Sequence, residues 1–175
     1  MENYLIVPGL GGSGIDHWQT YFENTQENFH RVYQKNWDEP VISEWIENLD
    51  KAVSGYDPET VILVAHSLGC LVVAEWAKRC NKKIKGALLV APPDKEILQA
   101  KIDKRLFDEK PNKRIDFKTI VVASTNDEWA SIEQAETDAK SWGSDFINIG
   151  KAGHINHLSG FGKWDQGLEI LKKLD

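Results

Sequence analysis

Apolar positions along the chain fall into two alternating kinds of segment. Short runs rich in β-branched residues are separated by longer stretches in which apolar residues recur at the helix period. Tyr4-Leu5-Ile6-Val7 predicts a strand that stops at Pro8-Gly9, and Asp16 is placed to cap a helix running to about Asn24. Arg31-Val32-Tyr33-Gln34 predicts a second, shorter strand. Pro40 opens a stretch in which Ile42, Trp45, Ile46, Leu49 and Val53 recur at helical spacing until Gly55. Residues 60–65 and 86–91 are nearly all apolar, the expectation for parallel strands buried on both faces, and 68–79 between them read as a helix. Pro92-Pro93 breaks the pattern, and an irregular, charged connection is expected to about Lys118. Thr119-Ile120-Val121-Val122-Ala123 predicts a strand, roughly 129–142 a helix, 145–149 the last strand and 164–174 a closing amphipathic helix.

Strands alternating with helices predict a three-layer α/β/α sandwich around a six-stranded, mostly parallel sheet. At 175 residues this is one domain, 1–175, with room for a minimal lid only. In such sheets, ligands bind outside the carboxyl ends of the strands. Residues that carry chemistry should therefore follow strands, and different ones.

Three do. Ala65-His66-Ser67-Leu68-Gly69, between a buried strand and a helix, reads as a G-x-S-x-G nucleophile elbow with Ala65 in place of the first glycine. The chemistry needs a serine on a sharp turn with small neighbours, because strand and helix approach closely there. Ser67 could instead simply cap the helix, since serine is a common cap. After the fifth strand, Asp127 occupies the acid position of a Ser-Asp-His order, with Glu128 as the nearby substitute and helix capping as its plain alternative. After the sixth, His154 lies in a glycine-containing loop without an apolar face to bury against, which suits a base; His157 is its rival, and His66 and His17 are weaker ones. The side chain of His66, adjoining Ser67, is expected to point away from it. Backbone N–H groups of Leu68 and of Leu10, in the loop after the first strand, are the expected oxyanion donors. Gly9, Gly11, His17, Trp18, Trp37, His66 and His157 are candidates for the pocket wall. Trp45 and Trp76, on helix faces, are expected in the core; packing serves equally well for Trp18 and Trp37.

The loop itself matches a second pattern. Gly9-Leu10-Gly11-Gly12-Ser13-Gly14 is literally G-x-G-x-x-G after a strand, the dinucleotide fingerprint, and Asp38 sits near the acidic position that fingerprint expects. The third glycine precedes the expected cap Asp16 rather than entering the helix, however, and a nucleotide reading leaves Ser67, Asp127 and His154 unexplained.

Composition narrows the class. A net charge of −6 and no Lys/Arg-dense stripe argue against nucleic acid as a partner; the densest stretch, 101–113, carries Asp103, Asp108 and Glu109 as well. No run approaches the ~18 apolar residues of a membrane span. The residues after Met1 lack the pattern of a secretory signal. Cys70 and Cys80 match no metal spacing and, on one helix, would stand about 15 Å apart, too far for a disulfide. The expectation is a cytoplasmic protein with reduced thiols, no metal and no cofactor. A monomer is favoured, with the oligomeric state left open.

With Val7-Pro8-Gly9, His17-Trp18-Gln19, Trp37-Asp38, Ala65-His66-Ser67-Leu68-Gly69, Ser124-Thr125-Asn126-Asp127, Gly153-His154-Ile155-Asn156 and Ser159-Gly160-Phe161-Gly162-Lys163-Trp164 in place, the whole chain resembles the small α/β-hydrolases that include retinoblastoma-binding protein 9 and the bacterial YdeN-like hydrolases. The resemblance implies a compact serine hydrolase with little or no lid and a triad that falls on Ser67, Asp127 and His154. Ala65 departs from the elbow glycine, and no L-x-C-x-E motif is present, so no retinoblastoma-protein partner is carried over. The reading that follows is a carboxylesterase-like enzyme acting on a small-molecule acyl substrate. An amidase or peptidase on the same triad, and a non-catalytic binding module with this fold, are the alternatives. The segment 92–116 is expected to cover the site in part.

Overall fold

The computed structural model describes residues 1–174. Six strands, β1 (Asn3–Val7), β2 (Phe29–Arg31), β3 (Val61–His66), β4 (Gly86–Val90), β5 (Lys118–Ala123) and β6 (Asp145–Asn148), form one sheet in the order β2-β1-β3-β4-β5-β6. Every pairing in it is parallel. The helices are α1 (Trp18–Thr25), α2 (Ile42–Ser54), α3 (Leu68–Cys80), α4 (Lys95–Lys101), α5 (Ile132–Trp142) and α6 (Asp165–Leu171).

Alternate residues of each strand feed two separate cores. Leu5, Val7, Leu63, Ala65, Leu89 and Val121 pack with Trp45 and Leu49 of α2, Trp76 of α3 and Trp142 of α5. Tyr4, Ile6, Ile62, Val64, Val90 and Val122 pack with Trp18 and Phe22 of α1 and Ile170 and Leu171 of α6. A sheet apolar on both faces must be covered on both, hence the α/β/α layering. Trp45 and Trp76 are core residues, as the helix pattern requires.

The chain runs from β1 outward to β2, then crosses back to β3 on the other side of β1. Strand order reverses there, and the crevice between the carboxyl ends of β1 and β3 is where such sheets bind ligands.

Four boundaries differ from the sequence reading. β2 lies two residues earlier than expected, because Phe29 pairs with Tyr4 and stacks on its ring at 4.4 Å. α1 is capped by His17, whose Nδ1 accepts the Gln19 N–H, rather than by Asp16. α5 starts at Ile132 with Ser131 as cap. The connection after Pro93 is not wholly irregular: Asp94 accepts the N–H groups of Glu96 and Ile97 and starts α4, which Leu98 anchors in the core. Cys70 and Cys80 are free, and no helix among the described residues is long and apolar enough to cross a membrane.

Candidate active site

Ser67 stands between the end of β3 and the start of α3 with φ 54° and ψ −127°, a conformation a serine adopts only where its surroundings compel it. The compulsion is visible on both sides. Gly69 lies so close to β1 that a Cβ there would stand 2.3 Å from the Val7 carbonyl oxygen. A Cβ on Gly9 would be 3.0 Å from the Ser67 Cβ and 3.1 Å from the Leu68 nitrogen. Gly9 therefore lets the backbone before Leu10 run alongside the backbone of Leu68. Leu68 N–H, the first of α3, has no acceptor in its own helix.

His154 bridges the other two residues. Its Nε2 lies 2.8 Å from Ser67 Oγ, and its Nδ1 lies 2.8 and 3.0 Å from the carboxylate oxygens of Asp127. A carboxylate only accepts, so Nδ1 carries the proton and Nε2 is left to accept from the Ser67 hydroxyl. Asp127 Oδ1 also accepts the Trp129 N–H at 2.9 Å. The capping alternative for Asp127 is thus realised locally, in addition to its contact with His154. Glu128 instead pairs with Lys101 at the surface, 2.8 Å away.

The loop that carries His154 is pinned from several elements. Asn126 Oδ1 accepts the Gly153 N–H and Ser124 Oγ accepts the Ala152 N–H, both at 2.9 Å. Ser159 Oγ accepts the His154 N–H at 3.2 Å. Gly153, at φ 53°, has no room for a side chain, since a Cβ would meet Ser159 Oγ at 2.3 Å. Trp18 Nε1 donates to the Ile155 carbonyl at 2.8 Å, and His66 Nε2 to the His154 carbonyl at 2.9 Å.

A cavity of about 250 Å³ opens over Ser67, walled by Leu10, Gly11, His17, His66, His154 and His157 from the expected set. It also takes in Ser13, Gly14, Glu128, Trp129, Asn156 and Leu158. Gly9, Trp18 and Trp37 are not on its wall. Gly9 is spent on the contact with Ser67, Trp18 is fully buried in the second core, and Trp37 packs on Gly12 and against the Trp45 ring. His66 reaches the cavity wall, and its ring lies 4.9 Å from that of His154. Trp129 could have been suspected from its place two residues after Asp127, but Leu158 carried no signal. No residue of 92–116 lines this cavity, so the expected partial cover is absent; the segment only backs its wall, through Asp94 N–H to the Trp129 carbonyl and Lys101 to Glu128, both at 2.8 Å, with Lys101 also over the Trp129 ring at 4.4 Å.

Burial holds the imidazoles of His17 and His66 neutral. His17 is pushed down from 6.5 to about 3 by burial, then by His157, Arg31 and His154. His66 is pushed well below 6.5 by burial, then by His17 and His154. No group of three or more His, Cys, Asp or Glu among the described residues could hold a metal.

Residues 4–173 match the profile of a family described as Serine hydrolase. The chain belongs to that family. This serine hydrolase is similar over 99% of its length to a YdeN-like hydrolase of Pectobacterium atrosepticum, at 31% identity and a TM-score of 0.86, covering 90% of that chain. The ydeN gene product of Bacillus subtilis has the same fold, with a TM-score of 0.84 at 18% identity over 99% and 98% of the two chains. The curated protein "Probable lysophospholipase BODYGUARD 4" of Arabidopsis thaliana is 26% identical over 104 residues. That match takes in 53% of this chain, and the serine hydrolase spans about a quarter (25%) of the plant protein's length.

Proposed function

We propose that this serine hydrolase cleaves carboxylic esters of small acyl groups through an acyl-enzyme on Ser67, without a cofactor. The observation that carries the reading is the unbroken chain of contacts from Asp127 through His154 to Ser67, each residue following a different strand. Ser67 Oγ attacks the acyl carbonyl while His154 Nε2 takes its proton, and Asp127 holds the imidazole in the tautomer this requires. Leu68 N–H and Leu10 N–H, whose backbones run side by side, donate to the oxyanion. The imidazolium returns the proton to the departing alkoxide. Water, activated by the same His154, then releases the acid. A cavity of about 250 Å³ suits a short acyl chain better than a bulky one.

The test is hydrolysis of p-nitrophenyl acetate and butyrate by wild type, Ser67→Ala and His154→Ala. Each variant is expected to lose activity by roughly 10³-fold or more. An inactive wild type, or Ser67→Ala hydrolysing as fast as wild type, would turn the reading toward a binding module. Wild type should also take a fluorophosphonate label that Ser67→Ala does not.

A further inference from the structure

The loop that carries Leu10 holds a costly backbone shape with one hydrogen bond of its own, from Gly12 N–H to the Gly9 carbonyl at 3.2 Å. Gly11, Gly12 and Ser13 take φ of 73°, 71° and 53° in succession, and Ser13 lacks the glycine freedom that would make this cheap. The rest of its support comes from elsewhere in the chain, including Gly11 N–H to the Trp37 carbonyl at 3.2 Å. Arg31, at the end of the edge strand β2, donates through Nη1 to the carbonyl of Gly12 and, at 3.2 Å, to that of Ser13. Its Nη2 donates to Thr20 Oγ1 at 2.8 Å, and Thr20 Oγ1 donates in turn to the Ser13 carbonyl at 2.7 Å. From the other side, Ser13 Oγ donates to Gln19 Oε1 at 2.6 Å, and Gln19 Nε2 reaches the carbonyls of Val7 and Val64 at 3.3 and 2.9 Å. Gln19 thereby ties the loop to β1 and β3, the strands that deliver Leu10 and Ser67.

We propose that Arg31 is a positioning residue of the hydrolysis: by clamping the Gly12 and Ser13 carbonyls it fixes the loop so that Leu10 N–H faces the oxyanion formed at Ser67. The proposal rests on the ester-hydrolase reading and on Leu10 as a donor. A guanidinium suits the task because its fork serves several acceptors at once and keeps its charge at any working pH. The side chain is nearly buried, with 9% of its surface exposed, so these bonds form where water competes weakly. A merely structural alternative exists, the ion pair of Arg31 with Glu23 at 2.7 Å, and the experiment separates the two.

The experiment compares p-nitrophenyl butyrate hydrolysis by wild type, Ser67→Ala, Arg31→Met, Arg31→Lys, Arg31→Ala and Glu23→Gln. Arg31→Met should lower kcat by about 10- to 100-fold with KM held within about threefold, since the donor is misplaced at the transition state rather than at substrate binding. Affinity for a trifluoromethyl ketone should fall by a similar factor: Ser67 Oγ adds to its carbonyl carbon, the hydroxyl proton moves to His154, and the hemiketal oxygen becomes the anion Leu10 would face. Millimolar guanidinium should restore part of the activity of Arg31→Ala, and Glu23→Gln should stay within about twofold of wild type. Arg31→Lys, which keeps one cation and is the variant to read if Arg31→Met does not fold, should fall between wild type and Arg31→Ala. The proposal is overturned if folded Arg31 variants keep wild-type kcat, or if Glu23→Gln reproduces their loss. In that case a Ser67-dependent wild type leaves the hydrolase reading intact; an inactive wild type removes both.

Discussion

His66 Nε2 lies 2.9 Å from the backbone carbonyl of His154, so the residue before the serine holds the main chain of the residue that faces it. The contact spans from the end of β3 to the loop after β6 and is one of the tethers that set how far His154 stands from Ser67. His66 is neutral by burial and must donate, because a carbonyl only accepts. His66→Phe should therefore lower kcat on p-nitrophenyl butyrate by about 10- to 100-fold, the scale of a misplaced reacting group. His66→Gln, which can still donate, should keep much more of it. Equal rates for wild type and a folded His66→Phe would show that the other tethers of the loop suffice.

Asp127 and Glu128 are adjacent carboxylates with separate partners, and the partners predict their substitutions. Asp127→Asn should cost roughly 10³- to 10⁴-fold in kcat, because an amide N–H facing Nδ1 favours the tautomer with the proton on Nε2, where it cannot accept from Ser67. Glu128→Gln breaks only an exposed pair with Lys101 and should change kcat by less than about threefold. A larger loss in Glu128→Gln than in Asp127→Asn would exchange their roles.

These residues were readable because elbow chemistry is local: a strand, a turn and a helix lie within a dozen positions around Ser67, and small residues must flank it. Asp127 and His154 were readable because each follows an apolar run. The clamp on the glycine-rich loop was not, since Arg31 reads only as part of a short strand and its acceptors lie 18 and 19 positions away. Trp18 was left between pocket wall and core for the same reason. A tryptophan beside a histidine after a strand suits a pocket wall equally well, and only its bond to Ile155, 137 positions away, assigns it to the support behind the loop. β2 drifted because the stacking of Phe29 on Tyr4 outweighs the β-branched pattern of the residues after it. α4 escaped because Leu98 is its one buried residue.

The turn at Ser67 stores strain that serves the reaction and not the fold. At φ 54° a glycine is relaxed where alanine or serine is not. Ser67→Gly should accordingly be inactive yet more stable than Ser67→Ala by about 0.5–1 kcal/mol in urea unfolding. Gly69→Ala should go the other way, losing on the order of 3 kcal/mol or failing to fold, because its Cβ would press on the Val7 carbonyl at 2.3 Å and backbone there cannot yield. A Ser67→Gly protein less stable than Ser67→Ala would mean that the turn is not strained.

His17 makes the pH dependence of stability calculable. In the folded chain it is held at about 3, against an ordinary 6.5, chiefly by burial, and its Nδ1 caps α1 through the Gln19 N–H at 3.1 Å. Between those two values the unfolded chain binds a proton that the folded chain refuses, so stability falls as pH drops below 6.5 and is fully present above it. At pH 4 the loss from this one group is roughly 3 kcal/mol. His66, shifted in the same direction, adds to it over the same acid limb. His17→Asn keeps an oxygen able to cap the helix and removes the titrating ring. Its stability at pH 7 should fall for lack of packing, but its loss between pH 7 and pH 4 should be smaller than that of wild type by about 2–3 kcal/mol, read from urea midpoints at each pH. An acid limb equally steep in both proteins would show that His17 is protonated in the folded chain, and that the cap and the burial do not hold it neutral.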